Sequence, residues 1–298
     1  MNTFFIAGPT ASGKSALALD LAERVGGEIV NADAFQLYAG LEILTAKPSA
    51  ADFARVPHHL YGVLPLTESC DAQRFHDLAE PVLQDIVDRG KVPLVVGGSG
   101  LYLKSLTHGL ARLPQGDAEM REKLRNRPLE EKVAELLALD PEAAATVNLR
   151  NPRYVERALE ICLLTGKPQS ALRQSFAQAN PAVRGVVLSW ERAALCTRID
   201  ARTRQMFERG IVAEVAALGE MSLTAGKAIG IREIRAHLAG ESTLEQTITA
   251  MQTATRQYAK RQATWFRREA CFQTICLDSS STAQYTLESA LRVLTPAP

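Results

Sequence analysis

The sequence predicts an α/β fold: a parallel, doubly wound sheet flanked by helices, with an all-helical insertion. Three observations predict it. Short apolar runs at Phe4-Phe5-Ile6-Ala7, Lys91–Val96 and Gly185–Trp190 lack polar alternation, as strands buried on both faces do. Amphipathic helical stretches alternate with these runs, which argues for parallel pairing. Between residues 114 and 184 the strand signal disappears and only helical periodicity is left. The chain therefore reads as a discontinuous core, residues 1–113 plus 185–298, interrupted by a helical domain over 114–184.

The first strand leads straight into Gly8-Pro9-Thr10-Ala11-Ser12-Gly13-Lys14-Ser15, which fits the phosphate-loop pattern G-x-x-x-x-G-K-[ST]. A helix follows, with Leu17, Leu21 and Val25 on one stripe and Gly26-Gly27 as its stop. Strand, glycine loop and helix in that order is the context the motif needs. Glycines let the backbone approach phosphate oxygens, and the helix N-terminus adds its positive dipole end. Lys14 supplies a mobile charge, and the Ser15 hydroxyl can ligate Mg²⁺. The loop is expected to bind a di- or triphosphate, and read alone it suggests ATP and a kinase.

A short strand, Glu28–Asp33, ends on a carboxylate, which puts Asp33 at the carboxyl edge of the sheet, where open α/β sheets hold ligands. Ala34–Glu68 reads as a long loop, the kind that forms lids and binding segments. Asp71–Arg89 reads as an amphipathic helix in which Pro81 marks a kink or restart. The strand at Lys91–Val96 runs into Gly97-Gly98-Ser99-Gly100, a second glycine loop facing the same edge, and then a helix from Leu101. A change of character at Leu113–Asp117 opens the insertion, with helices expected over 118–126, 129–139, 141–147, 152–165 and 169–178. After the strand at Gly185–Trp190 come a helix over 192–219, a basic helical stretch over Lys227–Arg268, a strand at Phe272–Leu277 and a helix at Ala283–Leu294.

Bulk composition excludes several classes. With 46% hydrophobic and 22% charged residues the chain is globular rather than disordered. A formal net charge of +1 means that any basic surface is local. No apolar run approaches a membrane span, so no membrane partner is expected. The first strand begins at once, which leaves no room for a targeting segment and points to the cytoplasm. Cys70, Cys162, Cys196, Cys271 and Cys276 form no C-x-x-C and read as reduced, structural residues. The basic stretch near the C-terminus interleaves Lys260, Arg261 and Arg267 with Tyr258, Trp265 and Phe266. Cations for phosphates and rings for stacking make a nucleic-acid combination, although a solvated helix face has the same charges.

Taken together, GPTASGKS at 8–15, NADAFQLY at 31–38, TAKPS at 45–49, PHH at 57–59, VGGSGLYLK at 96–104, NPRYVERALE at 151–160, AIGIRE at 228–233 and TRQYAKRQATWFR at 255–267 resemble the bacterial tRNA dimethylallyltransferases, also called isopentenyl-diphosphate:tRNA transferases. The resemblance runs in family order over nearly the whole chain. It implies a P-loop NTPase-like core with a tRNA-contacting helical insertion. It also implies transfer of a dimethylallyl group from dimethylallyl diphosphate to the N6 amine of the adenosine 3′-adjacent to the anticodon. Mg²⁺ is the implied cofactor, and a monomer is expected. The phosphate loop, Gly8 to Ser15, then cradles the diphosphate leaving group.

By the same resemblance, Asp33 is the catalytic base, while Thr10 and Arg202, with Arg198 as the other choice, stabilise the leaving group. Asp33, Ala34, Phe35 and Gln36 are matched to the target adenine and its neighbours. Ser99 and Arg121 are matched to single tRNA contacts. Three stretches are matched to the anticodon stem and loop: Arg153, Tyr154, Val155, Glu156 and Arg157; Lys227, Ala228, Ile229, Gly230, Ile231 and Arg232; and Lys260, Arg261, Gln262, Ala263, Thr264, Trp265, Phe266 and Arg267. Ala34 stands where the family has serine, Ile231 where it has tyrosine, and Arg153-Tyr154 where Gln-Arg is commoner. Three other readings remain at this stage: an adenylate isopentenyltransferase, a small-molecule kinase, and an RNA-binding module with a dead pocket.

Overall fold

A computed structural model describes residues 3–109, 114, 116–173, 179–180 and 182–295. Its elements are β1 (Phe4–Ala7), α1 (Lys14–Val25), β2 (Gly27–Asn31), α2 (Ala50–Arg55), β3 (His58–His59), α3 (Ala72–Asp88), β4 (Val92–Gly97) and α4 (Gly100–His108). Next come α5 (Ala118–Arg125), α6 (Leu129–Leu139), α7 (Ala143–Thr146), α8 (Pro152–Thr165), α9 (Gln169–Arg173), β5 (Arg184–Trp190), α10 (Arg192–Glu208) and α11 (Ile211–Ala216). A 3₁₀ turn at Ala225–Lys227 precedes α12 (Ile231–Leu238), α13 (Leu244–Phe266), β6 (Gln273–Leu277) and α14 (Ala283–Leu294).

The chain divides into two compact units, Met1–Thr107 with Pro181–Pro298, and His108–Asn180. In the first, six parallel strands run in the order β3-β2-β4-β1-β5-β6. Alternate residues of each strand feed two cores. Phe5, Ala7, Val30, Val95 and Val187 join one, with α3, α4 and α11–α13 over it. Phe4, Ile6, Ile29, Leu94, Val186 and Leu188 join the other, under α1 and α14. Each fully buried side chain of this size is worth roughly 1.5–3 kcal/mol, so both faces demand apolar strands. The helical unit has its own core, built on Leu124, Leu136, Val155, Leu159 and Cys162.

Three expectations are corrected. Pro57-His58-His59 does not lie in a plain loop, because His58–His59 pairs with Ile29 and Val30 as an edge strand. Pro81 does not restart α3: the helix is continuous through it. Its ring lies on the exposed face, where water can satisfy the Asp77 carbonyl that loses its partner. The single helix expected over 192–219 is broken at Gly210, whose φ of 94° ends α10 and opens α11. The basic stretch from Lys227 is helical as expected, in two helices, α12 and α13. The expected insertion boundary at Leu113 and the helix residues 174–178 lie outside the described residues.

Candidate active site

Register explains why distant segments meet. Ala7 pairs with Gly97 and Val187, and Asn31 pairs with Val96, so β1, β2 and β4 end nearly level, while β5 runs three residues further to Trp190. The phosphate loop, Asp33 and the Gly97–Gly100 turn therefore leave the same carboxyl edge side by side. Gly8 has φ 147°, and a Cβ there would lie 2.8 Å from the Leu188 carbonyl oxygen, so this turn tolerates no side chain.

The loop is held from three directions. Trp190 Nε1 donates to Ser12 O at 2.9 Å, and Arg198 Nε donates to Ala11 O at 2.8 Å while its guanidinium stacks over the Trp190 ring. From the other side, Thr10 N–H donates to Gln262 Oε1 at 2.9 Å, and Gln262 Nε2 donates to Gly98 O at 2.9 Å. One turn after Arg198 on α10, Arg202 reaches the Thr10 hydroxyl at 3.4 Å. Lys14 folds back onto Pro9 O at 2.7 Å.

Asp33 is fixed by its neighbours. The buried Asn31 side chain accepts from Asp33 N–H at 2.8 Å and donates to Asp33 O and Leu60 O. One Asp33 carboxylate oxygen accepts Phe35 N–H at 3.0 Å, and Ser99 Oγ accepts Ala34 N–H at 2.9 Å. The Gln36 side chain donates to the carbonyls of Thr45 and Ala46, drawing the TAKPS segment over the site.

Charge concentrates here. Burial lowers the Lys14 ammonium to about 8, with Asp33 pulling it up and Arg202 pushing it further down. Arg202 is also lowered, first by burial, while Asp33 favours its charged form and Arg198 opposes it. Burial, then the Asp33 charge, push the Tyr258 phenol well up, so it stays protonated. These groups border two hollows. One is an open basin of about 450 Å³ lined by residues 11–16 with Arg198 and Arg202. The other is a small, more enclosed cavity of about 70 Å³ with Thr10, Asp33 and Arg202 in its wall. Its remaining lining is largely apolar, with Phe35, Leu44, Ile199, Met206 and Met251.

The site residues read from the sequence divide accordingly. Thr10, Lys14, Asp33 and Arg202 converge. Arg198 contacts the loop as well, so both candidate arginines are present, with Arg202 the one nearer the cavity. Lys227, Arg232, Lys260, Arg261 and Arg267 are exposed, and Ser99 is half-buried behind Ala34. In the helical unit Arg121 and Arg157 both pair with the buried Glu160 carboxylate, which holds them together. Arg153 and Tyr154 are exposed there, and Glu156 pairs with Lys132.

Other positions of the same stretches turn inward. Val155 sits in the helical core, Ala228, Ile231 and Phe266 in the main core, and Gly230 and Gln262 are buried. Ile229, Ala263, Thr264 and Trp265 are half-buried, with Ile229 in the cavity wall and Trp265 against Gly100. Sequence reasoning missed the Gln262 bridge, Trp190 and the apolar wall. Ile199, Thr203 and Met206 carry an i, i+4, i+7 signal, but it is indistinguishable from a core stripe.

A phosphate loop sharing one wall with an apolar cavity is the arrangement that the comparisons with known proteins then put in context. The IPP transferase family model matches residues 36–269. The chain belongs to the IPP transferase family. The family's tRNA dimethylallyltransferase from Akkermansia muciniphila is 43% identical over 98% of this chain and 99% of its own length. The tRNA dimethylallyltransferase 1 from Citrifermentans bemidjiense is 46% identical over 89% of this chain and 88% of its own. The solved tRNA isopentenylpyrophosphate transferase from Bacillus halodurans aligns with a TM-score of 0.72 at 34% identity, covering 96% of this chain and 93% of that one. A eukaryotic dimethylallyltransferase captured acting on tRNA aligns with a TM-score of 0.83 at 26% identity, covering 96% of this chain and 77% of that one. This IPP transferase is accordingly an enzyme, a transferase on a P-loop-like scaffold. Among its described residues no helix is long and apolar enough to cross a membrane.

Proposed function

We propose that this IPP transferase moves a dimethylallyl group from dimethylallyl diphosphate to the N6 amine of the adenosine 3′-adjacent to the anticodon of tRNA, giving N6-isopentenyladenosine and diphosphate. A cytoplasmic monomer is the working form proposed. The observation that carries the reading is the shared wall. A donor with a doubly phosphorylated head and a five-carbon apolar tail needs a basic basin joined to an apolar cavity. Ala11 and Arg202 line both hollows here.

In the proposed reaction the allylic C–O bond breaks as the adenine amine attacks the carbon. Negative charge then builds on the diphosphate, where Lys14, Arg202, the Thr10 hydroxyl and the loop N–H groups stabilise it. Asp33, held by Asn31 and Phe35, takes the proton that the amine releases. The Phe35–Met206 wall keeps water from the carbon skeleton while positive charge is spread over it. Mg²⁺ fits the donor set: Ser15 offers one exposed hydroxyl, and Mg²⁺ commonly takes one or two protein groups plus phosphate oxygens and water. When bound it supplies further neutralisation of the departing diphosphate. The paired Arg121 and Arg157, within residues 114–184, and the exposed Lys260, Arg261 and Arg267 are the proposed cations for tRNA phosphates.

One assay tests this. Purified protein is incubated with Mg²⁺ and labelled dimethylallyl diphosphate, and with unmodified tRNA or AMP. Label on tRNA is expected. Label on AMP would turn the assignment to an adenylate isopentenyltransferase, and no label on either would sink it.

A further inference from the structure

Gln262 lies in a stretch whose residue types suggest RNA contact, yet its side chain points the other way. On α13, Ala259, Gln262 and Phe266 are buried on one face, while Lys260, Arg261 and Arg267 are exposed on another. Both ends of its carboxamide are engaged: Oε1 accepts Thr10 N–H from the phosphate loop, and Nε2 donates to Gly98 O from the neighbouring turn. The two backbone partners settle which end is which, since one can only donate and the other only accept.

We propose that Gln262 is a positioning residue: its carboxamide sets the spacing between the phosphate loop and the Gly97–Gly100 turn, and that spacing sets affinity for the diphosphate end of the donor. The inference deepens the proposed function, resting on its assignment of diphosphate to the loop. Chemistry leaves few substitutes. A carboxylate at this position repels Gly98 O and places negative charge beside a phosphate site. A cationic side chain cannot accept from Thr10 N–H. The glutamine amide does both at this reach, and asparagine is one methylene too short. The neighbouring turn is shaped for this contact, because a Cβ on Gly98 would fall 2.2 Å from Gln262 Nε2. Thr10 matters most here, since the same residue whose N–H is held by Gln262 presents its hydroxyl to Arg202. A displaced Thr10 moves the group that meets the leaving oxygen.

The test is titration of inorganic pyrophosphate with Mg²⁺ into the full chain. Gln262→Ala is expected to weaken binding about tenfold, the scale of a buried donor left unpaired. Gln262→Glu keeps the acceptor for Thr10 N–H but repels Gly98 O and brings negative charge beside the diphosphate, so it should weaken binding at least as much as Gln262→Ala. Gly98→Ala pushes the amide aside without altering Gln262 and should reproduce the weakening, and the Gln262→Ala/Gly98→Ala pair should add nothing further. In turnover, the KM for dimethylallyl diphosphate should rise while the KM for tRNA stays put. Wild-type pyrophosphate affinity in Gln262→Ala, additive single effects, or a rise in the tRNA KM alone would each overturn the proposal. If Gln262→Ala does not fold, as judged by thermal unfolding, Gln262→Glu and Gly98→Ala carry the test. Pyrophosphate binding needs no acceptor, so failure to prenylate tRNA leaves this readout standing and is recognised separately.

Discussion

Two glycine loops leave adjacent strands at the same sheet edge, and they use glycine for different reasons. In the loop after β1, Gly8 and Gly13 have φ of 147° and 97°, so they bend the backbone into a shape L-residues resist. That shape turns N–H groups toward a central ligand. The loop after β4 contains no glycine of positive φ. Its glycines make room: a Cβ would lie 2.1 Å from Ala32 O at Gly97, 2.2 Å from Gln262 at Gly98 and 2.4 Å from Trp265 at Gly100. One loop is a cradle, and the other is a seat for α13. Glycine-rich composition after a strand therefore does not by itself announce a ligand. The sign of φ and the neighbour at the missing Cβ separate the two uses.

The largest predicted effect lies beside the cradle. Asp33→Ala should lower kcat by roughly 10²–10⁴, the worth of a positioned base, with tRNA affinity near normal. Single-turnover transfer measures it, and a variant that keeps most of its activity removes Asp33 from the chemistry. Next comes the seat. Gly100→Ala drives a methyl into the Trp265 ring and should cost about 1–3 kcal/mol of stability in denaturant unfolding. Combined with Trp265→Leu the loss should be less than the sum, because the second change removes the obstacle. Gly13→Ala has no such partner, since its strain is in its own φ, and additivity with Trp265→Leu is expected there.

A third prediction concerns pH. Lys14 in the free enzyme gives up its proton as pH rises through about 8. Donor binding needs the charged form, so kcat/KM for the donor should be level below that point and fall by up to about tenfold per pH unit above it. Lys14→Arg, always charged, should abolish that limb, whatever its activity at neutral pH; a limb unchanged in the variant assigns it to another group. The smallest effect is at the exposed rim. Lys260→Ala should weaken tRNA binding modestly and reduce the slope of log affinity against log salt by about one, while an unchanged slope returns Lys260 to an ordinary solvated helix face.

Much of the fold was legible in the sequence because its signals are short-ranged. Buried parallel strands show as unbroken apolar runs, and β1, β4 and β5 fall where such runs stand. The edge strand at His58–His59 escaped because two polar residues carry no periodicity at all. The break at Gly210 escaped because glycine alone does not distinguish a tolerated helix position from an end. In the site, Lys14 and Asp33 were legible from a spacing motif and from the end of a strand. The inward turn of Gln262 was not legible because its neighbours Lys260 and Arg261 dominate the local composition, and composition does not say which face of a helix is turned inward.

The sequence by itself determined the phosphate loop, the strand-end carboxylate and the alternation that makes the sheet parallel. Each depends on residues within one or two turns of chain, where spacing translates directly into geometry. Tertiary structure alone decided what stands around them. The bond from Gln262 to Thr10 spans 252 residues and that to Gly98 spans 164. The apolar cavity draws on α10, α13 and the loop around Leu44. No local pattern encodes such meetings. They follow from how helices of given volume pack on the sheet, which is a property of the whole core.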